Sequence, residues 1–336
     1  MSGEACEDAN GGLATDFASR SSKLVVVSLL FSVSFTSNVV ISLLYPFAPV
    51  HLAGQGYGPG FVGMIFSIYS WAMLFSTPLS AALVVRFGRS KMLCLGILIL
   101  SLFSAAFGYA EEISLGSRWI MSSIYVASRV FSGLGAALTN LSVFSMATDT
   151  CKDDLGKVMG ANEVVIGLGF TVGPPIGSVL YVNFGFGPAF LIAAAAVMLS
   201  LPLALWEAVT RQRYQDMQLS DDLNETASEE GEDIGFSRVA RVFTLRAVLG
   251  GVLTLCGTFV FGVMEPNLAQ HLHDAAGLSQ PAVGLVFAFF SAAYSLSGVP
   301  LGWVADSCGH FGVCTIGVLM SGAVMLLLGL PIWEQV

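Results

Sequence analysis

The sequence predicts an all-α polytopic membrane protein, a six-helix N-terminal bundle followed by an incomplete three-helix second bundle. Three observations predict it. First, 55% of the residues are hydrophobic and only 11% are charged, a balance foreign to soluble globular chains. Second, runs of about 20 apolar residues, enough to cross a hydrocarbon core of roughly 30 Å, recur along the chain. Nine such runs cover about 24–48, 61–84, 92–110, 119–146, 158–180, 184–206, 247–270, 281–305 and 311–333. Third, the basic residues fall on one side of the resulting topology. Arg20 and Lys23 flank the first run; Arg86, Arg89 and Lys91 lie between the second and third; Lys152 and Lys157 lie between the fourth and fifth. Arg211, Arg213, Arg238, Arg241 and Arg246 cluster between the sixth and seventh, and only Arg118 occupies a loop on the opposite side. That asymmetry places the N-terminus and the long middle loop in the cytoplasm.

The expected order is a disordered cytoplasmic tail at 1–23, a first bundle at 24–206, a cytoplasmic linker at 207–243 and an incomplete second bundle at 244–336. The tail is rich in Gly, Ala, Ser and acids, and nothing in it reads as a cleavable signal peptide. In the first run, Ser34, Thr36, Ser37 and Asn38 form a polar patch near mid-membrane. Lipid offers such groups no partner, so they face the bundle interior, either as interhelical glue or as a substrate-facing wall.

A tight basic turn follows the second run, Arg86-Phe87-Gly88-Arg89-Ser90-Lys91. Its cations suit membrane anchoring or the carbonyl ends of neighbouring helices. The fourth run carries Arg129 about ten residues in, followed by Gly133 and Gly135. An arginine at that depth costs several kcal/mol, on the order of 3, unless paired or wet, so it reads as a conformational or proton-linked group or as half of a structural ion pair.

The fifth run holds Glu163 beside Asn162, readable as a relay carboxylate, a partner for Arg129 or a wet group at the cytoplasmic mouth. Further along comes GLGFTVGPPIG at 167–177, where Gly169, Gly173 and Gly177 recur every four residues. On a helix they form one bare stripe where another backbone can approach. Pro174 and Pro175 strip two amide donors from the same stretch and favour a kink, which makes it a candidate flexing seam.

The linker is charged and poor in large apolar residues. A cytoplasmic location leaves its Asn224-Glu225-Thr226 sequon unused. Beyond it the chain repeats itself. YPFAPVHL at 45–52 is answered by EPNLAQHL at 265–272, FVGMIFSIYS at 61–70 by AVGLVFAFFS at 282–291, and ALVVRFG at 82–88 by WVADSCG at 303–309. The offset is about 220 residues and six runs, so the copies share an orientation as parallel repeats facing each other across a cavity. The copies differ where Tyr45 becomes Glu265, a carboxylate near the non-cytoplasmic end of the seventh run, and where Val85 becomes Asp306.

The six cysteines show no CxxC or metal-ligand spacing and read as unpaired thiols. No nucleophile–base constellation or phosphate-cradling loop is visible, so no enzymatic activity, cofactor or metal site is expected. The net charge of −9 sits mostly in the tail and at 216–233, and implies no nucleic-acid partner.

These residues resemble the major facilitator superfamily, and within it the vesicular amine transporters of solute carrier family 18. Arg86, Gly88 and Arg89 look like the basic end of the superfamily's loop between helices two and three, and Gly302 and Asp306 like its other half in the second copy. Arg129 with Gly133 and Gly135 is similar to the fourth-helix motif. Gly169, Gly173, Pro174, Pro175 and Gly177 match the fifth-helix motif of proton-coupled antiporters. Gly173–Tyr181 and Glu265-Pro266, followed by Leu268, look like family 18, and the seventh-helix carboxylate Glu265 with Pro281–Phe287 is similar to its vesicular polyamine branch. The monoamine carriers' first-helix aspartate is replaced by Ser37, which bears against monoamine recognition. The first copy has Ala81 and Val85 where the motif has glycine and aspartate. A full member has twelve helices, so the chain is expected to be a fragment, a splice form or an incomplete gene model.

The resemblance implies a proton-coupled antiporter of small cationic amines, with polyamines foremost, in a cytoplasmic or synaptic-type vesicle membrane. Glu265 is then the proton and amine site, with Glu163 and Arg129 as coupling groups and Asn38 and Tyr294 as cavity candidates. The alternatives are a broad-specificity drug/proton antiporter of the same fold and a truncated, non-transporting form. Oligomeric state is not addressed by the residues.

Overall fold

The computed structural model describes residues 4–151, 154–210, 267–274 and 276–328, with a few further helical positions between 252 and 262. The elements in order are α1 (Glu4–Leu43), α2 (Ala48–Gly54), α3 (Pro59–Phe87), α4 (Arg89–Gly108), α5 (Ala110–Ile113), α6 (Arg118–Thr150), α7 (Leu155–Phe184), α8 (Phe186–Met198), α9 (Gln280–Cys308) and α10 (His310–Leu328). Helix resumes at 201–210 after a short turn, so α8 and that stretch form one span, Phe186–Thr210.

Among the described residues, 7 helices are long and apolar enough to cross a membrane, and they correspond to the first six expected runs and the eighth. The ninth corresponds to α10, with its apolar stretch Gly312–Val324. Most of the expected seventh run and nearly all of the linker lie outside the described residues.

One difference concerns the tail, which is not irregular: α1 begins at Glu4 and continues unbroken into the first span. Once a helix is nucleated, each added residue gains a backbone bond, and the tail opens with alanines and acids that suit a helix N-terminus.

The core is mainly apolar, but burial departs from the soluble pattern in two ways. Ser34, Ser37, Ser42, Ser101, Ser104, Ser128, Ser132 and Ser142 are buried, while Phe75 is 72% exposed and Leu74, Leu102, Trp119 and Leu199 are also exposed. Small polar groups sit between helices because lipid cannot satisfy them, and large apolar ones face outward at no penalty. This is an integral multi-pass membrane protein.

Close packing follows the small residues. α6 is the hub of the first bundle. A methyl at Gly133 would lie 2.6 Å from the Tyr69 carbonyl of α3, and one at Gly135 would lie 2.7 Å from the Leu100 amide of α4. Two residues apart on a helix point to nearly opposite sides, so this pair lets α6 touch both neighbours. At the Arg86–Lys91 end, Arg89 forms an ion pair with Asp149 at the end of α6, and Arg86 lies 5.5 Å from the Phe87 ring centroid. Nearby, Lys157 holds the Asp154 carboxyl below the usual carboxylate range through a 2.9 Å contact.

The repeat is visible in the backbone. α3 and α9 are each 29 residues long and each contain an internal proline, Pro78 and Pro300. Each ends on a glycine in the left-handed region, Gly88 at φ 90° and Gly309 at φ 94°, which joins it to the next helix without a loop. Gly302 and Asp306 lie within α9, whose backbone carries them toward this joint.

Candidate transport cavity

A cavity of about 210 Å³ opens inside the first bundle, lined by Ile41, Leu44 and Tyr45 of the first span, Phe66, Tyr69 and Ser70 of α3, Arg129 of α6 and Phe170 of α7. Phe66, Tyr69 and Ser70 follow the i, i+3, i+4 spacing of one helix face. The Tyr45 ring is the hub of the wall. Its centroid lies 6.0 Å from Phe66, 6.4 Å from Phe170 and 6.2 Å from Phe287, which brings α9 of the second copy against the same wall.

Arg129 is 7% exposed. Its guanidinium lies 4.4 Å from the Phe107 ring centroid and 5.8 Å from that of Tyr69. Contacts of this kind are worth about 2 kcal/mol each when desolvated. They offset part of the burial penalty but bond none of its N–H groups. Nε and Nη2 have no hydrogen-bond partner among the described residues. The cavity wall therefore holds a fixed positive charge among aromatic rings, with two guanidinium nitrogens buried and unbonded among the described residues.

α7 lies beside this cavity and has two working faces. Methyls at Gly169, Gly173 and Gly177 would come within 2.9 Å of the Phe35 carbonyl, 3.0 Å of Val39 and 2.5 Å of Leu43, all backbone oxygens of α1. Ser42 of α1 also donates to the Gly169 carbonyl at 3.2 Å. The opposite face meets α9: Gly167 abuts Ser295, and a methyl on Gly284 would lie 2.9 Å from the Pro174 carbonyl. α7 continues as helix through Pro174 and Pro175. Those prolines cannot donate to the carbonyls one turn back, while the Thr171 hydroxyl donates to Gly167 at 2.8 Å.

The other predicted residues are placed differently. Asn38 is half-buried and outside the described lining. Its amide donates to the Ser34 carbonyl of its own helix at 2.7 Å, a bond that joins no second helix. Tyr294 is exposed on α9, also outside that lining, and its neighbour Ser295 makes the contact with α7. Glu163 is exposed on α7 and does not border the Arg129 cavity, whereas Asn162 beside it is fully buried with neither amide atom bonded among the described residues. Glu265 lies outside the described residues. Tyr45, Phe66, Tyr69 and Phe170 were not predicted as a wall. The spacing of the α3 residues was the only available signal, and it is shared with lipid-facing aromatics.

A family model described as Major Facilitator Superfamily matches residues 30–243. The chain belongs to the major facilitator superfamily. The MFS-type transporter SLC18B1 of Mus musculus is 26% identical over 301 residues, covering 89% of this chain and 62% of that relative. The chain thus spans about three-fifths of that transporter's length. Multidrug resistance protein 2 of Bacillus subtilis is 29% identical over 184 residues, 53% of this chain and 42% of that protein. Among solved structures, the crystal structure of D-xylose-proton symporter superposes with a TM-score of 0.61 at 15% identity, over 85% of this chain and 69% of that one. At that identity it speaks to the fold alone. Within the superfamily the similarity extends to solute carrier family 18, and both fold and family are those of transporters rather than enzymes.

Proposed function

We propose that the protein is a proton-coupled antiporter of cationic amines, polyamines foremost, working by alternating access in a vesicle membrane with its N-terminus in the cytoplasm. The observation that carries this reading is the Arg129 cavity set beside α7, a helix packed on α1 through one face and on α9 through the other. A fixed charge inside such a cavity biases the protonation of any carboxylate near it. Glu265 is the proposed proton and amine site, with Arg129 as its charge partner and Glu163 as the second carboxylate. Proton and ammonium compete for Glu265, and their exchange shifts the balance between the two orientations of the halves. The resemblance of the carboxylate Glu265 and of Pro281–Phe287 to the polyamine branch of family 18 supports the substrate class.

The test is uptake of labelled spermidine into proteoliposomes under an imposed pH gradient, comparing the protein with its Glu265→Gln form. Gradient-driven uptake should fall at least about tenfold in the variant. Equal uptake removes Glu265 from the mechanism, and no gradient-driven uptake by the unmodified protein overturns the reading. A second reading, a broad-specificity drug/proton antiporter, is favoured by the largely aromatic and aliphatic cavity wall and by the similarity to a multidrug resistance protein. Strong competition by bulky lipophilic cations would select it; selectivity for linear polyamines would reject it.

A further inference from the structure

The end of the first bundle remote from Arg86–Lys91 holds a polar cluster that the transport cavity does not use. His51 of α2 stacks on Phe186 of α8, with ring centroids 4.0 Å apart and planes 8° apart. Both of its ring nitrogens are engaged. Nδ1 lies 3.3 Å from the Tyr181 hydroxyl of α7, and Nε2 lies 3.1 Å from the Gln55 amide nitrogen. That same nitrogen donates to Glu111 Oε2 of α5 at 2.8 Å, and the Gln55 Oε1 accepts from the Tyr125 hydroxyl of α6 at 3.5 Å. One histidine and one glutamine thus tie together α2, α5, α6, α7 and α8.

The donor inventory settles the tautomer. An amide nitrogen only donates, so Nε2 is the lone-pair nitrogen and Nδ1 carries the proton toward Tyr181. The amide orientation is assigned from Glu111, whose carboxylate only accepts and so takes the nitrogen, leaving the oxygen to accept from the Tyr125 hydroxyl. A proton added at Nε2 would set N–H against N–H across the Gln55 contact. The cluster has one simple escape, which is for the Gln55 amide to turn over and offer Oε1 to His51. That move takes the acceptor from Tyr125 and turns the N–H₂ away from Glu111.

Among the described residues, the groups facing His51 are few. α5 contributes the carboxylates Glu111 and Glu112, α6 the Tyr125 hydroxyl, α7 the Tyr181 hydroxyl, and α8 only the Phe186 ring. Arg118, the cation at this end, is bonded to the Gly56 carbonyl and lies 5.1 Å from the Tyr57 ring centroid.

We infer that His51 is a proton-binding site separate from the transport cavity, and that its protonation turns over the Gln55 amide and frees α5 from α2. The change reaches further, because Tyr181 sits near the end of α7, the helix packed on both α1 and α9. The inference stands on the cluster alone and does not require that the protein carry amines.

Hydrogen–deuterium exchange on the purified protein in lipid nanodiscs, corrected for intrinsic pH dependence, tests it without a transport assay. Lowering the pH from 7.5 to 5.0 passes well below the ordinary histidine value while free carboxylates stay mostly ionised. Residues 109–118 should exchange up to about tenfold faster at pH 5.0 in the unmodified protein, the loss of about one net hydrogen bond. His51→Gln, whose amide does not titrate, should show no such change. Gln55→Leu keeps the histidine but lacks the amide, and should exchange fast at both pH values. A pH response of the same size in His51→Gln, a response in Gln55→Leu like that of the unmodified protein, or no response in the unmodified protein would each overturn the site.

Discussion

α6 meets α4, and α7 meets α9, through glycines, yet the two contacts are built from different atoms. Between α4 and α6, backbone backs onto backbone. A methyl on Gly135 would sit 2.7 Å from the Leu100 amide and 3.0 Å from the Gly96 carbonyl, while one on Gly96 would meet the Thr139 hydroxyl first, with the Thr139 amide at 2.8 Å and the Gly135 carbonyl at 2.9 Å. Between α7 and α9, Gly167 faces the Ser295 side chain, and Gly284 faces both the Ser178 side chain and, at 2.9 Å, the Pro174 carbonyl. The first contact joins helices within one half; the second joins the two copies of the repeat. The difference lies at two positions: at Gly135 the obstacle is backbone within one half, whereas at Gly167 it is a single side chain of the other half, which can be exchanged or turned.

The largest effect should come from the backbone contact. Gly135→Ala drives a methyl into the α4 backbone, and we expect about 1–3 kcal/mol of destabilisation, toward the upper end of overpacking costs. Thermal unfolding in detergent or nanodiscs reads this. Trimming the nearby side chain with Ile99→Ala should not recover it, because the obstacle is backbone. The exchangeable contact should behave otherwise. Gly167→Ala alone should also destabilise, but Ser295→Gly in the same chain should restore about 1 kcal/mol, since the glycine has only moved to the other helix. Rescue at Gly135 and none at Gly167 would reverse the comparison.

Much of this architecture was legible in the residues. Apolar runs, the basic asymmetry and the paired turn glycines Gly88 and Gly309 mark where helices begin and end, because bilayer thickness and backbone sterics impose them. The α7 stripe announced a close approach without naming α1 as the partner, since a stripe describes one surface only. Phe66 lines the cavity and Phe75 faces outward, but nothing local separates two phenylalanines on one apolar helix. Asn38 read as either glue or wall, and its side chain closes onto its own helix, a choice that polar residues make when no partner is in reach. Glu163 read as a relay carboxylate, a partner for Arg129 or a wet group at the cytoplasmic mouth, and helical phase buries Asn162 and leaves Glu163 exposed.

The claim that the halves move against each other at α7 and α9 is tested most directly by tethering them. In a background without the native cysteines, Gly167→Cys with Ser295→Cys joins α7 to α9, and Ser42→Cys with Gly173→Cys joins α7 to α1 as the control. The account predicts that oxidising the first pair abolishes pH-gradient-driven spermidine uptake and reduction restores it, while oxidising the second leaves uptake largely intact. Uptake undiminished with α7 tethered to α9 would contradict it.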